Sequence, residues 1–117
     1  MLAFHMALQN GAFLQFLDEH PNPQWVPVTE YYVGEGYYLF QNLEQAATYF
    51  IRIPNRYPSS PYVDDAYWGY LQALDDMSAS SRAMLVDEYQ NYVDRFPNGA
   101  HVQSAQNKID AYKSGSR

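Results

Sequence analysis

The side chains able to do chemistry are sparse and poorly matched to one another. Three histidines stand at positions 5, 20 and 101, and no two fall at the four-residue helical spacing of an HExxH zinc pair. The acidic pairs Asp64–Asp65, Asp75–Asp76 and Asp87–Glu88 are hard-cation ligands by type. The first and last of these belong to separate helical segments, however, and neither has the spacing of a calcium loop. There is no Gly-x-Ser-x-Gly elbow and no Gly-rich phosphate loop. The chain has no cysteine, which excludes disulfides, thiolate catalysis and Cys-ligated zinc or iron–sulfur sites. The expectation is a non-enzymatic protein with no catalytic residue, no metal and no cofactor. What stands out instead is tyrosine, twelve in 117 residues. A Tyr ring offers broad apolar contact while its hydroxyl stays wet, which suits a surface that binds polypeptide.

Charge narrows the partner further. Seven Lys and Arg against 13 Asp and Glu leave a net charge of −6. Nucleic-acid phosphates or an anionic membrane would want a basic face, so neither is expected as the main partner. The first eight residues are apolar but lack a basic flank, and Gln9-Asn10-Gly11 interrupts them. They are neither a secretory signal nor the ~20 apolar residues of a membrane span. With 47% hydrophobic and 17% charged residues, the chain is expected to bury a core.

The elements that must position these tyrosines come from a repeat. Three joints align on Pro21, Pro58 and Pro97, spaced 37 and 39 residues apart. An aromatic lies eight residues before each proline (Phe13, Phe50, Tyr89), a ring directly before it (His20, Tyr57, Phe96), and a valine five residues after it (Val26, Val63, Val102). Between the joints the hydrophobic period is helical. Helices are expected over 28–40, from a capping box at Asn42-Leu43-Glu44-Gln45, and from Ser60-Pro61 as N-cap and first turn. A polar break at 75–80 precedes a fourth, and 100–113 forms a last helix. Pro54 should end or kink its helix by deleting the bond to the Phe50 carbonyl. With Leu2–Leu17 added, the count is about six helices. No segment alternates with period two, so the fold is all-α, in stacked helix pairs.

Gly34, Tyr37, Ala46, Phe50 and Pro58 fall at the spacing of the tetratricopeptide repeat. The run Arg56-Tyr57-Pro58-Ser59-Ser60-Pro61-Tyr62-Val63-Asp64-Asp65-Ala66-Tyr67-Trp68-Gly69-Tyr70 resembles repeats of bacterial envelope proteins of the BamD and Tol-associated periplasmic coordinator type. The resemblance covers 12–112. It implies a right-handed α-α superhelix of antiparallel helix pairs and a non-catalytic scaffold in the periplasm or at the outer membrane. Within a single domain over 1–113 it divides the chain into a lone second helix (1–19), repeats at 27–58 and 60–97, a terminal helix (99–113) and a tail at 114–117. The departures lie in the second unit, where four extra residues separate Gly69 from Pro97, and where Leu85 replaces Ala46 and should widen the helix pair.

By the same resemblance the first helix of each pair lines a concave groove. The expected groove residues are Val28, Tyr31, Glu35 and Tyr38, then Val63, Ala66, Tyr70 and Ala73, with Val33, Gly34, Tyr37, Trp68 and Gly69 turned to the partner helix. Nearby Asp64, Asp65, Asp75 and Asp76 favour a protein or peptide partner with basic residues. A second expectation makes the chain a structural subunit. Its apolar first helix, through Leu2, Met6, Phe13, Phe16 and Leu17, would dock into a larger assembly or a second copy. A third pairs Trp25 and Tyr38 as platforms for cell-wall glycan.

Overall fold

The computed structural model describes residues 25–77 and 79–115. Among them the chain is all-helical: α1 Val26–Leu39, α2 Leu43–Arg56, α3 Val63–Asp76, α4 Arg82–Arg95 and α5 Val102–Lys113. No helix among the described residues is long and apolar enough to cross a membrane. The expected helix over Leu2–Leu17, and the joint at Pro21, lie outside the described residues.

The helix ends follow local chemistry, with two departures from expectation. Asn42 is the N-cap of α2 but its side chain makes no capping bond, so the capping box does not form. The preceding turn instead closes the end of α1. Asn42 N–H donates to the Tyr37 carbonyl at 2.9 Å and Gln41 N–H to Tyr38 at 3.0 Å, the paired bonds of a Schellman stop. Gln41 therefore sits at φ 61°, where glycine is usual. Ser60 does not cap α3 either. The helix starts at Val63, and Ser60 Oγ instead accepts from Tyr62 N–H at 3.1 Å within the turn. Ser81 caps α4 as a serine should, accepting from Met84 N–H at 3.1 Å. Pro54 stays inside α2, which runs two residues beyond it to Arg56, so the proline does not itself end the helix.

The repeat is visible bond by bond at its two described joints. Tyr57 N–H donates to Ile53 and Phe96 N–H to Tyr92, both at 2.8 Å. Ser60 donates to Tyr57 and Gly99 to Phe96, both at 2.9 Å. Val63 donates to Ser60 at 3.2 Å and Val102 to Gly99 at 3.4 Å. Ala66 and Ala105, the next small residues, are both fully buried.

Helix α2 lies between α1 and α3, while α4 packs on α3 and α5. The α1–α2 pair approaches more closely than α3–α4. The cause is side-chain size. Small Ala46 and Ala47 are buried in the core shared by α1, α2 and α3, whereas Leu85, Tyr89 and Tyr92 are buried in the core of α3, α4 and α5. One core, around Ala46, Phe50, Ile53, Val63, Ala66 and Ala73, joins α1, α2 and α3. The other, around Leu71, Leu85, Tyr89, Tyr92 and Ile109, joins α3, α4 and α5. A Glu30–Arg52 ion pair at 2.6 Å also ties α1 to α2, with the Glu30 side chain 2% exposed. Burial raises the Glu30 pKa, opposed by the Arg52 and Arg56 cations.

Helices α1, α2 and α3 meet tightly at the Phe50 ring. A methyl group added at Gly34 of α1 would stand 2.9 Å from Phe50 Cδ1, and one at Gly69 of α3 would stand 2.8 Å from Cζ. Phe50 is 1% exposed and held on both sides, so it cannot swing away. Gly69→Ala is therefore expected to lose about 1–3 kcal/mol by overpacking, exceeding the ~1 kcal/mol that alanine gains in helix propensity. Adding Phe50→Leu should recover part of that loss, a coupling that thermal denaturation of the four-member mutant cycle measures. Gln41→Gly should move the other way, gaining about 0.5–1 kcal/mol by relieving the left-handed backbone.

Candidate functional site

A cleft of about 280 Å³ opens between α1 and α3. From α1 come Tyr31, Glu35, Tyr38 and Leu39; from α3, Asp65, Trp68, Gly69 and Gln72. Phe50 of α2 forms its floor, and His101, the N-cap residue of α5, closes one end. The same Phe50 ring that fixes the approach of α1 and α3 thus sets the width of the opening.

Three of the expected groove residues, Tyr31, Glu35 and Tyr38, meet in this cleft, whereas Val28 is half-buried beside it. The expected α3 stripe is a correction. Val63, Ala66 and Ala73 are buried at 5%, 0% and 0% exposure and face α2, because their small side chains are what lets α2 and α3 come together. Tyr70 packs against both cores and joins them, stacking edge-on to Tyr67 with centroids 6.0 Å apart. Gly69 meets Phe50 of α2 rather than α4. Trp68 does touch α4, through Tyr89 and Tyr92, and also lines the cleft. The cleft stripe of α3 is Asp65, Trp68, Gly69 and Gln72, about a third of a turn from the expected one. The small residues at 66 and 73 were the available signal, since alanines at helical spacing mark close helix contact. Trp25 is 53% exposed and does not line the cleft. Leu2, Met6, Phe13, Phe16 and Leu17 lie outside the described residues.

The end of the cleft is built by a chain of polar contacts. The His101 ring stacks flat on Trp68, with centroids 4.9 Å apart and planes 3° from parallel. His101 Nε2 lies 3.0 Å from Asp65 Oδ1. Behind them, Tyr92 donates its hydroxyl to Asp64 Oδ1 at 2.5 Å and accepts from His101 N–H at 3.0 Å. Asp64 Oδ2 accepts from Ala100 N–H at 2.9 Å. The first turn of α3 therefore positions the joint that delivers His101.

Three of the acidic residues expected to draw a basic partner are occupied by tyrosines. Besides Asp64, Asp75 accepts from Tyr89 at 2.5 Å and from Tyr112 at 2.6 Å, with Lys108 Nζ at 3.7 Å. Asp76 accepts from Tyr38 across the cleft. Asp75 and Asp76 end α3, where the helix dipole disfavours carboxylates, so donors from α1, α4 and α5 hold them there. Glu35 and Asp65 remain as the carboxylates facing the opening. Among the described residues no group of three His, Asp or Glu is arranged to hold a metal ion.

Burial and these carboxylates act together on the phenols. Burial raises Tyr38 to about 12, assisted by the bond to Asp76 and the charges of Asp75 and Glu35. Tyr31 is raised by burial and then by Glu35 and Asp65, and Tyr89 by burial and then by Asp75. Tyr49, Tyr67, Tyr70 and Tyr92 also move upward, each chiefly through burial.

No protein-family model matches this sequence, and no curated protein matches it significantly.

A folded pKa above the unfolded value means that the folded state holds its proton longer. The stability so contributed is complete below the ordinary tyrosine value of 10.0 and is lost as pH rises towards about 12 for Tyr38. In an alkaline titration followed at the phenolate absorbance band, the tyrosines tied to carboxylates, Tyr31, Tyr38, Tyr89 and Tyr92, should ionise only as helical circular dichroism is lost. A single step with the helices intact would contradict the tyrosine–carboxylate ties.

Proposed function

We propose that the chain is a non-catalytic adaptor, built as a tetratricopeptide-like right-handed superhelix, that binds a polypeptide partner in its tyrosine-rich, acidic groove. The observation that carries this reading is the cleft between α1 and α3. Its walls combine rings with hydrogen-bonding tips, and its floor is a rigid core ring. Large aromatic contact at low entropy cost, with a few oriented polar groups, is the composition of a recognition surface. The hydrogen-bond identity of the joints before α3 and α5 supports the repeat architecture. The sequence resemblance to envelope repeat proteins supports a scaffold role in the bacterial envelope.

Cross-linking tests this reading. The photo-reactive residue p-benzoylphenylalanine is placed at Leu39 or Gln72 in the cleft, or at exposed Asn91 on α4, and each variant is irradiated in the cells the protein comes from. A protease-sensitive adduct formed several-fold more at positions 39 and 72 than at 91 is the expected result. Adducts equal at all three positions, or adducts to glycan, would overturn it.

A further inference from the structure

We propose that the cleft is a receptor for one arginine side chain of an extended polypeptide segment; this rests on the polypeptide-binding reading above and names what the groove selects. Two carboxylates, Glu35 from α1 and Asp65 from α3, line one opening, and among the described residues no Lys or Arg lines it with them. A carboxylate pair of this kind, with only the His101 ring and the Tyr31 hydroxyl against it, in a partly enclosed, aromatic-walled space favours a cation and disfavours any anionic group.

The same carboxylates also act on the phenols beside them. The Tyr31 hydroxyl feels both Glu35 and Asp65, and the Tyr38 hydroxyl feels Asp76, Asp75 and Glu35, and each of these charges opposes its ionisation. The partners already present leave room for a further donor. Tyr31 bonds Glu35 and the His101 ring meets one oxygen of Asp65, which is 52% exposed. A carboxylate accepts about four hydrogen bonds, so both retain acceptor sites. The Gln72 amide adds a carbonyl acceptor in the same wall.

The rings decide between the two basic side chains. Tyr31, Tyr38 and Trp68 line the cleft, and Phe50 is beneath them. A guanidinium presents flat, weakly hydrated faces to rings and a planar fork of donors to carboxylates. A compact ammonium must instead shed a tightly held water shell. Arginine therefore fits an aromatic-walled, doubly acidic cleft better than lysine. Leu39, 68% exposed at the rim, supplies apolar contact for the residue beside that arginine.

The probes are N-acetyl-arginine amide, its lysine counterpart and the neutral citrulline counterpart, titrated into the full chain and followed by amide NMR. The arginine probe should give saturable shifts at Gly69, Gln72 and the Trp68 indole that weaken with added salt. Lysine should bind more weakly, and citrulline weaker than arginine by about tenfold or more. Glu35→Gln with Asp65→Asn should remove the arginine response, while both amide carbonyls still accept from Tyr31 and His101 and keep the fold. Glu44→Gln, on the exposed first turn of α2, should leave it unchanged. Citrulline or lysine binding as well as arginine overturns the proposal, as does arginine binding that survives the double substitution. A silent cleft overturns it too. If cross-links at positions 39 and 72 still form, polypeptide binding stands without the arginine, and if they also fail, both readings fall.

Discussion

One aromatic ring governs the arrangement of the helices around the cleft. Phe50 projects from α2 into the space between α1 and α3, and it fits there because the residues on either side, Gly34 and Gly69, have no side chain. Three helices meet on a single rigid object, so the distance between α1 and α3 is set by ring geometry rather than by flexible side chains. The cleft lies directly above this junction. Its floor is core, and a change in the core is expected to alter the opening as well as stability.

The second organising interaction is between tyrosine hydroxyls and carboxylates. All twelve tyrosines lie between residues 31 and 112, and several serve at once as core filler and as donors. Tyr89 and Tyr112 converge on Asp75, whose side chain is 8% exposed, and Tyr92 reaches Asp64. A leucine at these places would bury similar area but would strip the hydroxyl donors from Asp75 and Asp64, and a buried charge that loses hydrogen bonds is costly. The aromatic excess and the acidic excess of the composition are in this sense one feature. Much of the negative charge is consumed internally, and the carboxylates left at the cleft are Glu35 and Asp65.

The helical class and the repeat were legible because they depend on periodicity and on proline, both of which act locally. Pro58 and Pro97 mark joints that match hydrogen bond for hydrogen bond. The sparser contact of α3 with α4, where Leu85 stands at the position of Ala46, is in line with the expected widening. Half of the cleft was readable on α1, where Tyr31, Glu35 and Tyr38 share one stripe. The α3 half was not, because analogy between the two helices assumed that equivalent positions face equivalent surroundings. Helix α3 packs on two neighbours, α2 and α4, and Ala66 and Ala73 are given over to the first. His101 stands in no recognisable catalytic or metal-binding spacing in the sequence. Its place against Trp68 and Asp65 depends on Asp64 and Tyr92, residues 28 apart in sequence, which no local pattern encodes.

The central claim is that α1 and α3 are both seated on the Phe50 ring. Nuclear Overhauser contacts from the Phe50 ring protons, in a sample labelled selectively at phenylalanine and glycine, test it directly. The account predicts strong contacts to the α-protons of both Gly34 and Gly69, with those protons moved upfield by the ring current. Contacts to only one of the two glycines would contradict it, because the helices would then not share the ring and the cleft between them would lose its fixed width.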